Sequence, residues 1–126
     1  TLYRNGPGLY EIFGKAYQHM FEGDGAVSAV RLQDGEALGA LKVVQSEGLI
    51  EEKRRGKPLY GFNAPWHTRV SGMFKGKMKN TANTNVISWQ NRLFALMEGG
   101  KPTEAGVKEI STAANKLATL ALNRKK

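Results

Sequence analysis

Asn80-Thr-Ala-Asn-Thr-Asn85-Val-Ile-Ser-Trp89-Gln90-Asn91-Arg92-Leu-Phe-Ala-Leu-Met97 is the stretch that decides how this chain folds. Residues 85–89 and 92–97 are two short runs rich in β-branched and aromatic residues. Only Gln90-Asn91 separates them, which predicts an antiparallel hairpin with a two-residue turn. Val86, Ser88, Leu93, Ala95 and Met97 fall on one face, and Ile87, Trp89, Phe94 and Leu96 on the other. Both faces are apolar enough to be covered, so Trp89 is expected to be mostly buried and Gln90-Asn91 exposed.

Upstream, residues 26–32 and 37–44 flank Asp34-Gly35, a second hairpin signal. Residues 1–4 read as a short strand ended by a turn at Asn5-Gly-Pro-Gly8, and residues 17–21 as an extended piece ended by Glu22-Gly-Asp-Gly25. Residues 46–55 suit a short helix with Ser46 as N-cap, acidic residues in its early turns and Gly56-Lys-Pro58 as its stop. Residues 60–78, rich in Gly, Pro and aromatics, read as a long loop. Beyond Pro102 the pattern changes to a helical spacing of Val107, Ile110, Ala114, Leu117 and Leu120, with Thr103 as N-cap and a basic end. The predicted organisation is a β-hairpin region over 1–102 and a basic amphipathic helix over 103–126.

Composition narrows the chemistry. The 126 residues include no cysteine, which excludes disulfides and thiolate metal sites. No run of about 18 apolar residues is present, so no helical membrane span is expected. Residues 1–52 carry four basic and eight acidic residues, a net −4, whereas residues 53–126 carry fifteen basic and three acidic, a net +12. Between Lys53 and Lys79 there are eight basic residues and no acid. Lys53, Arg54, Arg55, Lys57, Lys75, Lys77 and Lys79 are therefore the candidate contacts for an acidic protein face or an anionic lipid surface; a solvated basic surface is the plain alternative. Nucleic acid fits less well, because the interleaved aromatics follow no RNA-binding or OB-fold pattern.

Catalytic and metal motifs are absent. Of the two histidines, His19 is expected to be partly buried in a strand and His67 to lie in the loop, and nothing in their spacing brings them together. A non-haem iron site needs at least two imidazoles and a carboxylate converging. Gly6-Pro-Gly8 and Gly23-Asp-Gly25 read as turn glycines, since neither opens a helix that would hold a phosphate. Asn80, Thr81, Asn83, Thr84 and Asn85 form a polar patch that either holds a ligand or, more commonly, bonds nearby backbone where a strand begins.

Three segments together resemble the carotenoid cleavage oxygenases: Thr1-Leu-Tyr-Arg-Asn-Gly-Pro-Gly8, Phe21-Glu-Gly-Asp-Gly25, and the run from Met73 to Pro102. The resemblance covers roughly residues 1–102. It implies a fold that is mainly β with a C-terminal α-helix: a fragment of a seven-bladed β-propeller, one blade's worth of hairpins, plus the amphipathic tail. The family splits polyene double bonds at an iron held by four histidines. None of the matching residues here is such a ligand, so no cofactor is implied for this chain, with Fe(II) entering only as part of a complete oxygenase. Two departures stand out: Val44-Gln45-Ser46 replaces an Arg-Thr pair, and Ala105-Gly106-Val107 replaces a Leu-Asp-Pro continuation. The chain also opens inside a family motif without an initiator Met, which leaves room for a preceding segment such as a targeting peptide.

These observations favour a non-catalytic accessory subunit of a larger assembly, derived from an oxygenase and contacting other protein subunits. Pigments or an anionic lipid surface would be further partners, and a plastid complex, or otherwise the cytoplasm, its location. The competing readings are the N-terminal section of an active iron dioxygenase, and a reading frame that joins an oxygenase fragment to an unrelated helix. A true enzyme section should continue into strand after Pro102.

Overall fold

A computed structural model describes residues 1–76 and 78–105. Its frame is two three-stranded antiparallel sheets. The first runs in the order β1–β4–β5, from Leu2–Leu9, Asp24–Gln33 and Glu36–Val43. The second runs β6–β7–β8, from Asn85–Trp89, Arg92–Leu96 and Thr103–Glu104. A small ladder, β2 (Glu11–Ile12) with β3 (Lys15–Ala16), decorates the β1–β4 connection. Two helices, α1 (Glu47–Arg55) and α2 (Trp66–Phe74), fill the chain between the sheets.

Both predicted hairpins are present. Asp34 and Gly35 adopt φ of 52° and 76°, and Gln90 and Asn91 φ of 48° and 58°, the left-handed pairs that a two-residue turn with the native strand twist requires. Ser28 of β4 pairs with Leu41 of β5, and Ile87 of β6 with Phe94 of β7. Alternation then decides what is buried. Val27 and Ala29 of β4 and the adjoining Val44 meet Leu93 and Ala95 of β7 and the flanking Ala82 and Ala105, with Tyr3, Ala40 and Val86 packed around them.

α1 follows its sequence signals: the Ser46 hydroxyl accepts from Leu49 N at 3.3 Å, and Gly56 ends the helix in the left-handed region at φ 65°.

Several expectations give way. The first strand does not stop at a turn over residues 5–8. It runs on to Leu9 because Pro7 lies on an edge strand, where no ladder donor is required of it, and the register slips between Pro7 and Leu9. Residues 17–21 are not an extended piece: Met20–Glu22 form a single 3-10 turn, and His19, exposed rather than buried in a strand, caps it by accepting from Phe21 N. Residues 60–78 are not all loop, since α2 begins after Pro65 and spaces Trp66, Val70, Met73 and Phe74 along an exposed side. Trp89 is 64 % exposed, because the Ile87–Trp89 side of β6 faces away from the core. Thr103 and Glu104, read as the start of the tail helix, instead pair with Ala95 and Phe94 as β8, and Arg92 Nε donates to Glu104 Oε1 at 3.0 Å. The proposed helix residues Val107, Ile110, Ala114, Leu117 and Leu120 lie outside the described residues.

Gly25 is where the two sheets are tied. Its N–H donates to Thr81 O at 2.7 Å, and its carbonyl accepts from Val44 N at 2.7 Å. A Cβ built there would sit 2.0 Å from Ala82 O, so only glycine allows the backbones this close. Gly25 is thus a close-approach glycine at a strand start and not a turn residue.

Candidate functional site

The chemistry-bearing side chains that the fold gathers are not the expected basic run but one member of it turned inward. Lys79 lies just before the second sheet, and its side chain is only 7 % exposed. Its ammonium reaches Asp24 Oδ2 at 2.7 Å, Glu52 Oε2 at 2.8 Å and the Tyr17 hydroxyl at 3.1 Å. The contacts to Asp24 and Tyr17 are hydrogen bonds and that to Glu52 is an ion pair, so the Lys79 ammonium is held inside the fold, away from a surface partner. The Tyr17 hydroxyl in turn donates to Asp24 Oδ2 at 2.8 Å. Glu52 Oε1 accepts from Leu59 N at 2.9 Å and Tyr60 N at 3.2 Å, which fixes the chain leaving α1.

Four separate pieces of chain supply this cluster. Asp24 opens β4, Glu52 sits on the inner side of α1, Tyr17 follows β3, and Lys79 precedes the polar patch. The charges do not balance: one ammonium faces two carboxylates whose side chains are each 1 % exposed. Asp24 Oδ1 is buried and has no hydrogen-bond partner among the described residues. Burial pushes the Asp24 carboxyl above its ordinary range, opposed by the hydrogen bond and charge of Lys79. Burial first, and then the hydrogen bond to Asp24, pushes the Tyr17 phenol far up. Such a cluster locks elements together.

Lys79, Glu52 and Tyr17 form part of the wall of a cleft of about 680 Å³. The remaining wall is largely apolar, from Phe21, Phe62, Met73, Met78 and Met97, with Arg69 lying over the Phe62 ring at 5.1 Å. α2 makes one side of this cleft and has no buried residue of its own.

The polar patch is structural. Asn83 Nδ2 donates to Phe21 O at 3.1 Å and Gly23 O at 2.8 Å, and Asn80 Nδ2 to Lys101 O at 2.6 Å. Asn5 reaches across from β1 to Ala82 O and Asn85 O, at 2.8 and 2.7 Å. Of the other basic candidates, Arg54, Lys57 and Lys75 are exposed, Lys53 donates to Gln45 Oε1 at 2.9 Å, and Arg55 pairs with Glu51 at 2.9 Å. Lys77 lies outside the described residues. Tyr17, Asp24 and Glu52 were not anticipated as partners of Lys79; the one available signal was Asp24, inside the Phe21-Glu-Gly-Asp-Gly25 segment. Among the described residues no group of three or more His, Asp or Glu could hold a metal ion.

A family model described as RPE65, retinal pigment epithelial membrane protein, matches residues 1–120. It therefore extends over most of the tail that the sequence resemblance left without a counterpart. The chain is 42 % identical over 106 residues to apocarotenoid-15,15'-oxygenase of Synechocystis, covering 81 % of this chain and 22 % of that protein. It is 30 % identical over 118 residues to the chloroplastic carotenoid cleavage dioxygenase 7 of Oryza sativa subsp. japonica, covering 89 % and 19 %. Among solved structures, an ACO/RPE65 chimera superposes with a TM-score of 0.69 at 40 % identity, over 81 % of this chain and 22 % of that one. A cobalt-substituted Synechocystis ACO gives the same score, identity and coverage. The chain thus spans about a fifth of the length of these relatives.

Proposed function

This chain belongs to the RPE65, retinal pigment epithelial membrane protein, family, and we propose that it serves as the N-terminal section of an oxygenase that splits an apocarotenoid-type double bond. What carries the reading is β8: where the residue pattern suggested a helix, Thr103–Glu104 continue the sheet as its third strand. That continuation is what an enzyme section requires and what an accessory subunit with a helical tail does not. In this role the segment supplies framework and an apolar cleft. Its described residues do not fit the family's iron, since they bring no three ligating side chains together. Iron ligation would fall to parts of the protein outside this segment.

The partners follow the surfaces. Trp66, Val70, Met73 and Phe74 are exposed on α2, with Arg69 and Lys75 beside them, and suit contact with an anionic lipid surface from which an apolar substrate is drawn. No helix of the described residues is long and apolar enough to cross a membrane. Relatives come from chloroplasts, bacteria and fungi, and a plastid location is part of the proposal only by that analogy.

The test replaces the matching segment of the Synechocystis enzyme with residues 1–105 and measures iron content and apocarotenoid cleavage. A chimera that holds one iron per chain and cleaves supports the reading. A folded, iron-loaded chimera without cleavage opposes it. So does a native polypeptide of this length that copurifies with other subunits, the behaviour of an accessory protein.

A further inference from the structure

Three of the four methionines line one cleft, and the chain has no cysteine. Met73 and Met78 line it and are 85 % and 77 % exposed. Met20 is also exposed and directly precedes Phe21, another lining residue. Met97 lines the same cleft but differs in its surroundings. It is only partly exposed, and its sulfur accepts from Thr81 N at 3.3 Å and from the Thr81 hydroxyl at 3.4 Å.

We propose that Met73 and Met78 form an oxidation-sensitive pair at the cleft mouth, whose conversion to sulfoxide by hydrogen peroxide or an organic hydroperoxide turns that apolar mouth polar. The step is a two-electron transfer. A thioether lone pair attacks one peroxide oxygen and the O–O bond breaks. That oxygen stays on sulfur as the sulfoxide, and the other leaves as water or an alcohol; sulfur is oxidised and the peroxide reduced. The reaction needs an accessible lone pair, which Met73 and Met78 offer. At Met97 two donors already draw on the sulfur, so Met97 is the internal control. A sulfoxide is a strong dipole and acceptor, and two of them on the cleft wall disfavour an apolar occupant. Oxidation at this mouth requires neither iron nor cleavage activity, nor the role proposed above.

The experiment treats the 126-residue chain with hydrogen peroxide, in buffer and in urea, and follows each methionine by peptide mass spectrometry. An apolar fluorescent dye, anilinonaphthalene sulfonate, reports the cleft in parallel. Met73 and Met78 are expected to oxidise about 10-fold faster than Met97 in buffer and at one common rate in urea. Dye fluorescence falls as they convert and returns after methionine sulfoxide reductase treatment. The Met73→Leu/Met78→Leu variant, apolar and of similar volume, keeps its dye signal in peroxide. Equal rates for all four residues in buffer overturn the proposal. So does full conversion of Met73 and Met78 with no change in dye binding, or loss of the signal in the Leu variant.

Discussion

Replacing Lys79 with Met tests the buried cluster directly. The substitution keeps the length of the side chain and removes the ammonium that lies 2.7 Å from Asp24, 2.8 Å from Glu52 and 3.1 Å from Tyr17. Two carboxylates are then left facing each other, each 1 % exposed. Breaking a buried ion pair from one side costs about 3–5 kcal/mol. The whole stability of a domain this size is about 5–15 kcal/mol, so Lys79→Met removes about a fifth of it or more. Asp24→Asn behaves differently: it removes the excess negative charge and leaves Lys79 paired with Glu52, for a change of about 1 kcal/mol or less. Acidity supplies the sign. Because the folded-state pKa of Asp24 is raised, its contribution is fully present below the unfolded value of about 3.9 and is lost as pH rises through the folded value. Asp24→Asn should therefore gain on the wild type as pH rises above the unfolded value. Urea unfolding followed by far-ultraviolet circular dichroism is the assay, since Trp66 and Trp89 are both exposed and report folding poorly. A Lys79→Met midpoint within about 1 kcal/mol of wild type, at unchanged slope, would refute the reasoning.

Glycine substitutions should separate by position: Gly25→Ala drives a methyl into Ala82 O and prevents folding, Gly35→Ala (φ 76°) costs about 1–2 kcal/mol, and Gly6→Ala, with nothing within 4 Å, is near neutral in a thermal melt. Asn83→Ala strips the partner from the carbonyls of Phe21 and Gly23 and should cost about 1–3 kcal/mol by urea titration. Elemental analysis after anaerobic Fe(II) loading of the 126-residue chain should find no stoichiometric iron; one tightly held iron per chain would contradict the placement of the ligands elsewhere.

The hairpins and α1 were legible because their determinants are local. Asp34-Gly35, Gln90-Asn91, Ser46 and Gly56 act on backbone within a few residues of themselves. α2 was missed because Gly61, Pro65, Gly72 and Gly76 masked a helical spacing of Trp66, Val70 and Met73. Lys79 was misread because it shares a stretch with Lys75 and Lys77, while its partner Asp24 lies 55 residues away. Pairing at that distance leaves no periodic trace in one sequence. Trp89 taught the converse: an apolar face in a strand predicts the wish to be covered, and the described residues hold nothing that covers it.

Gly25 touches the chain at both Val44 and Thr81. Residues 45–80, with both helices, therefore leave and return to a single point of the framework, like a handle fixed at one hinge plate. A length change inside the handle alters the closure entropy only slowly, by about 0.6 kcal/mol per doubling. A shift of one residue at either end would break the register of a sheet. In transplants between related proteins, the handle should move as a cassette with its seams beside Val44 and Thr81. The cassette would carry Glu52 and Lys79 with it, and Asp24 would be the one counter-charge the recipient framework must provide.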